Sequence, residues 1–253
     1  MRGGSFKLFQ VAGISVYLHF TWFLVAWYQI SSASYRFHRP IWPVIEYIGL
    51  FIIVLLHEFG HAFACRSTGG RADRIVLWPL GGLAFVDPPL RASAVLWSII
   101  AGPLVNLVLF PILQLLVMVT GRHGFIDISA DPHRVLVDLW AINVLLLLFN
   151  LLPFYPLDGG QIVRALLWFR IGPSRSLRAA AVVGVVGAGL LALFAIWKSS
   201  IWFGILAFFI FSQAGAAFQR ANQMELEADL AARGAETTPP ASPITGENPA
   251  PRR

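Results

Sequence analysis

The sequence predicts an all-α polytopic membrane protein. It should have about six transmembrane helices, with a short membrane-dipping β-hairpin after the second. Three observations lead there. Of the 253 residues, 57% are hydrophobic and 13% charged, where a soluble domain is nearer half apolar and a quarter charged. Mean hydropathy is +0.69. Apolar runs of about 20 residues, the length that spans a bilayer core, recur six times. The net charge of +6 does not point to nucleic acid, because the arginines sit in short loops and no basic stripe interleaves with aromatics. A single cysteine, Cys65, allows no intrachain disulfide and leaves the redox compartment open.

The six runs are 14–33, 41–65, 92–120, 135–155, 178–197 and 200–219. No small-residue cleavage site closely follows the first apolar core, so that run is expected to be retained as a span. The second and fourth carry polar groups at their ends. The fifth holds Gly184, Gly187 and Ala188, small residues suited to close helix packing. Only "KSS" separates it from the sixth, which predicts a tight antiparallel pair. Between the second and third runs, "RIVLW" and "LAFVD" flank "PLGG", the pattern of two short strands around a Pro/Gly turn. Backbone of that kind at membrane depth must be covered by protein or line a wet cavity. From Asn222 the composition changes. "MELEADLAARG" is expected to form a short helix, and the Pro-rich polar remainder to be disordered. The domains are therefore 1–221, the membrane domain, and 222–253, a cytoplasmic tail.

Lys and Arg set the orientation. With the N-terminus in the cytoplasm, 14 of the 19 fall in inner segments and 5 in outer ones. Without the tail the balance is still 10 against 5. The expectation is a multi-pass protein of the bacterial plasma membrane with both termini cytoplasmic.

The second run contains "HEFGH", residues 57–61. On a helix, i and i+4 share a face, so His57 and His61 can converge on one ion, with Glu58 one residue further round. Two imidazoles and a carboxylate suit zinc with a fourth position open. A charged group at mid-bilayer costs about 2.5–3.5 kcal/mol on the insertion scale, so three ionisable groups within a turn and a half argue for a function. Counted from Arg66, His61 lies about 7 Å and His57 about 13 Å inside the inner boundary. A third ligand is needed. Cys65 lies eight residues, about 12 Å, beyond His57, which puts it out of reach of a shared ion and reads as a packing residue. His19, in "YLHFTWF", reads as a structural hydrogen-bonding residue. Asp158, in "FNLLPFYPLDGGQ", is the best candidate. Pro153 and Pro156 break the fourth run, Gly159 and Gly160 allow a close turn, and the result is an unwound segment presenting one carboxylate. Spans two and four run in the same direction, so the histidines and Asp158 fall on the same side.

Four motifs occur in order: "HEFGH", "PLGG", "AGPLVN" (Ala101 to Asn106) and "NLLPFYPLDGG" (Asn150 to Gly160). In these the chain resembles the site-2 protease family of intramembrane zinc metalloproteases, in its six-span branch without PDZ or CBS domains. The resemblance implies one Zn2+ held by His57, His61 and Asp158, with Glu58 as catalytic base. It implies auxiliary roles at the substrate for Asn150 and Asn106, and a hairpin at Gly81 and Gly82 that approaches the cleft. It also implies a transmembrane protein substrate met within the lipid bilayer and hydrolysed in or near its membrane segment. Oligomeric state stays open. Two other readings remain at this point. One is a multi-span transporter whose buried histidines handle a metal or protons. The other is an inactive scaffold. Neither has a special need for Glu58.

Overall fold

The computed structural model describes residues 4–78, 81–122 and 131–237. The chain opens on two strands, β1 (Ser5–Val11) and β2 (Ile14–His19). Ala12 and Gly13 join them, both at positive φ, 49° and 76°. That is the turn geometry whose twist suits a two-residue hairpin loop, and Val11 pairs with Ile14 across it. Alternation along β2 turns Ile14, Val16 and Leu18 inward, as a strand with one buried face requires. After β2 come α1 (Thr21–Ala33) and a 3-10 turn at Ser34–Arg36. Then follow α2 (Ile41–Ser67), β3 (Arg71–Trp78), β4 (Gly81–Asp87), α3 (Ala92–Arg122) and α4 (Asp131–Asn150). The chain continues through α5 (Asp158–Ile171), α6 (Pro173–Trp197) and α7 (Ile201–Thr237).

Five of these helices, α2, α3, α4, α6 and α7, are long and apolar enough to cross a membrane. The first expected span, 14–33, is instead a strand followed by a helix. Its six strand residues at about 3.3 Å and thirteen helical residues at about 1.5 Å reach about 40 Å together. The 27 residues of α2 reach the same length. The segment contacts α2 near its C-terminal end and again at Glu46 and Tyr47, near its start. Arg66 donates to the Ala12 carbonyl, Tyr47 Oη donates to the Trp22 carbonyl at 2.8 Å, and Arg36 pairs with Glu46 at 3.0 Å. Hydropathy over a window merges the two halves into one run. The alternation of "ISVYLH" behind an Ala-Gly turn is the sign that separates them.

The expected hairpin is present as β3–β4, and it belongs to a larger sheet of order β1-β2-β3-β4. β2 runs parallel to β3, and the outer pairs are antiparallel. Gly81 and Gly82 open β4 opposite Trp78 and Leu77. Pro79 and Leu80, the tip of "PLGG", lie outside the described residues. Ile14, Val16, Ile75 and Leu77 of the sheet close on Phe59, Ala62 and Cys65 of α2 in one buried cluster. The sheet is thereby fixed on the helix turn that carries the histidines. Cys65 is fully buried there, its Sγ 3.4 Å from the Arg71 carbonyl, the packing role expected of it. His19 is buried at the end of β2, its Nδ1 2.7 Å from Thr21 Oγ1 and its ring stacked 4.1 Å from Trp78.

At the far end of α2, Asp131 accepts hydrogen bonds from the His38 and Arg39 amides at 3.0 and 3.2 Å, and Arg36 reaches Asp138 at 3.1 Å. These contacts tie the α1–α2 connection to the start of α4. At the near end, Val95 and Ile99 of α3 pack on Ala165, Ile162 and Trp168 of α5. The "KSS" pair is as expected: α6 and α7 return on each other through small residues, with Ala181 against Ala217 and Ala221. The helix expected at "MELEADLAARG" is the continuation of α7, which passes residue 222 without a break. Residues 238–253 lie outside the described residues.

Candidate metal centre

The centre is assembled from three helices. α2 supplies His57, Glu58 and His61, all buried. Their burial follows from the position of α2 between the sheet, α3 and α4. α3 runs antiparallel along it, and its "AGPLVN" stretch lies opposite "HEFGH". A Cβ on Gly60 would come 2.6 Å from the Ala101 carbonyl oxygen, and one on Gly102 would overlap the His61 ring. The two helices can approach this closely only because both positions lack a side chain. One turn after Gly102, on the same face, Asn106 meets His57.

The third group arrives differently from the expectation. The unwound segment is Leu151 to Leu157, and Asp158 is the first residue of α5. Sequence reading did not find α5, because Arg164 and Arg170 interrupt its apolar residues and two glycines open it. A carboxylate in the first turn is favoured by the partial positive charge of a helix N-terminus. The loop preceding it rests on α6. A Cβ on Gly184 would come 2.6 Å from the Tyr155 carbonyl oxygen, and one on Gly187 would overlap the Phe154 ring.

The three groups converge. His57 Nε2 and His61 Nε2 are 3.1 Å apart, and Asp158 Oδ2 is 3.1 Å from the first and 3.5 Å from the second. The side chains are only 4%, 10% and 12% exposed. His61 Nδ1 lies 2.9 Å from the Ser98 carbonyl. A carbonyl only accepts, so that nitrogen carries the proton and Nε2 presents a lone pair. His57 Nδ1 lies 2.6 Å from Asn106 Oδ1, with the same consequence. Asp158 Oδ2 is buried, and among the described residues no hydrogen bond reaches it.

With both rings neutral, three lone pairs face one another, an arrangement that is repulsive unless a cation, a metal ion or a shared proton, lies among them. Donors around tetrahedral zinc, at about 2.0–2.1 Å from the ion, are about 3.3 Å apart. The observed triangle matches that edge, and two imidazoles with one carboxylate are a zinc donor set. The residues therefore fit the metal.

Of the predicted residues, His57, His61 and Asp158 come together, and Asn106 joins them through His57. Asn150 ends α4, half-buried, and is not among the hydrogen bonds around the three ligands. Three residues were missed: Ser98, Gly102 and Asn143. Asn143 is fully buried and bonded to Asn106. Its signal was available, as a lone amide in the apolar run of α4, two helical turns before Asn150 and on the same stripe.

Residues 45–131 and 127–194 match the profile of peptidase family M50. Over 223 residues the chain is 32% identical to zinc metalloprotease MJ0392 of Methanocaldococcus jannaschii, covering 88% of this chain and 62% of that protein. Over 121 residues it is 35% identical to stage IV sporulation protein FB of Bacillus subtilis, covering 45% and 37%. It thus spans about three fifths of the length of the first relative and less of the second. Among solved structures, the site-2 protease from Methanocaldococcus jannaschii superposes with a TM-score of 0.61 at 29% identity, covering 85% of this chain and 95% of that one.

Proposed function

The chain belongs to peptidase family M50, and on that premise we propose that it is an intramembrane zinc metalloprotease. Its substrates are membrane proteins, hydrolysed within or near a transmembrane segment. One observation carries the reading: the two Nε2 lone pairs and Asp158 Oδ2 converge at zinc-donor spacing, with Glu58 in the next position on the same buried turn.

His57, His61 and Asp158 hold the ion. Zinc in such a site supplies a Lewis acid and brings the pKa of a bound water to about 7. Glu58 is the base: its carboxylate takes a proton from the attacking water and returns it to the departing amide nitrogen. The carbonyls of a helical substrate are hydrogen-bonded within the helix, so the segment must unwind before it can react. β4 ends the sheet, and the edge that begins at Gly81 and Gly82 is suited to pair with an extended substrate by strand addition. Asn150 lies where the fourth helix opens toward Asp158 and assists at the substrate. The protein is integral to the membrane. We place it in the bacterial plasma membrane with both termini cytoplasmic, residues 1–221 forming the protease domain and 222–253 a cytoplasmic extension.

The test is zinc content of detergent-purified protein. About one zinc per chain is expected in the wild type, with loss in both His57→Ala and Asp158→Ala. Zinc retained without Asp158 would identify a different third ligand. A wild type that takes up none after reconstitution would remove the metalloprotease reading.

A further inference from the structure

His57 can face a metal with Nε2 only if its Nδ1 carries the proton, and that depends on which end of the Asn106 amide it meets. An amide offers an oxygen on one side and an NH2 on the other, nearly equal in size. Nothing in the shape of Asn106 selects between them, so the selection must come from its other partner. That partner is Asn143 on α4. Asn143 Nδ2 donates to the Asn106 backbone carbonyl at 3.0 Å. A carbonyl cannot donate, so this contact admits only the NH2 of Asn143 and turns its Oδ1 the other way. Asn143 Oδ1 then accepts from Asn106 Nδ2 at 2.8 Å. Asn106 Oδ1 is left to face His57 Nδ1 at 2.6 Å. Each step fixes the next, and the chain is anchored on a main-chain atom that has one role.

Both asparagines are 0% exposed, so no water competes for these bonds. A buried amide in the apolar run of a spanning helix carries a desolvation penalty unless it is bonded. Helix packing alone would have been served by any small residue.

We infer that Asn143 is a positioning residue of the metal centre: through Asn106 it holds His57 in the tautomer that can bind zinc. The inference rests on the metal site proposed above. Replacing Asn143 with Leu frees the Asn106 amide to rotate and present its NH2 to His57, whose Nδ1 must then accept. The proton moves to Nε2 and lies on the atom that should ligate. Outer partners of metal-bound histidines are commonly worth about 10–100-fold in metal affinity.

The experiment measures zinc affinity by competition with a chelator in detergent, for the wild type and three variants. Asn143→Leu should bind zinc about ten- to a hundredfold more weakly. Asn143→Asp should bind as the wild type does, because the neutral acid favoured in this buried place donates its O–H to the Asn106 carbonyl and accepts from Asn106 Nδ2 with its other oxygen. In the double variant Asn106→Asp with Asn143→Leu, residue 106 has two oxygens and no wrong face, so affinity should return. Wild-type affinity in Asn143→Leu, or no recovery in the double variant, overturns the inference while leaving the metal site standing. If Asn143→Leu does not fold, Asn143→Asp decides, and a tenfold loss there overturns it. A wild type without zinc removes the metal site and this inference with it.

Discussion

Glu58 stands one residue beyond His57, about 100° further round the helix. From there its carboxylate can address a water beside the ion without competing for the ion itself. Gln keeps the size and the hydrogen-bonding oxygen but cannot take a proton. Glu58→Gln is therefore expected to keep about one zinc per chain and to lose cleavage of a transmembrane reporter substrate by about a hundredfold or more. The same variant separates the readings left open by the sequence. Transport of a metal or protons through His57 and His61, or scaffolding without catalysis, would survive the change. At this scale the sequence was legible where chemistry restricts residue type. Two histidines four apart, and an aspartate between a double proline and a double glycine, are hard to place in a membrane for other reasons. Ser98, Gly102 and Asn143 were not legible in the same way. The first acts through its main chain, the second through having no side chain, and the third through a partner on another helix.

Among the elements, α6 has two neighbours for one stripe of small residues. From the sequence Gly184, Gly187 and Ala188 read as small residues suited to close helix packing. In the structure both glycines face the loop that ends in Asp158, because Tyr155 and Phe154 lie where their side chains would be, and Gly184 also meets Ala214 of α7. Gly184→Ala brings a Cβ within 2.6 Å of the Tyr155 carbonyl oxygen and 3.1 Å of Ala214 Cβ. Main chain cannot rotate aside as a side chain can, so the loop must shift. The expected result is reduced zinc content, read by metal analysis of purified protein, although the site is 26 residues from Asp158. Gly189→Ala is the control. It has nothing within 4 Å, and alanine is the better helix former by up to about 1 kcal/mol, so zinc content should not change and the melting temperature should hold or rise. The elements read correctly, α2, α3, α4, α6 and α7, have long apolar runs to declare them. β1, β2 and α5 do not. β2 joins α1 in one run, β1 is exposed along its length, and α5 alternates apolar residues with arginines.

For the whole molecule, the fold makes a definite statement about direction. The first segment runs antiparallel to α2 from Arg66, beside Ala12, to Glu46, about 30 Å along the helix, so Ala12 and Arg66 lie at one end, while His38 and the start of α4 lie at the other. The ion-ligating turn is near the first end, together with β3, β4 and most of the arginines. The positive-inside rule predicts that this end faces the cytoplasm, and a bilayer crossing of about 30 Å fits between the two. The single native cysteine makes this measurable. Cys65 is 0% exposed, a quiet background for introduced thiols. The side chain of His38 is 74% exposed and that of Asp73 is 82% exposed, at opposite ends of α2. In intact cells a membrane-impermeant maleimide should label His38→Cys and spare Asp73→Cys, which should react only after permeabilisation. The reverse pattern would turn the molecule over and put the catalytic end outside the cytoplasm. Labelling of both in intact cells would mean that α2 does not cross the bilayer, and the five-helix arrangement would have to be read as something other than a membrane domain.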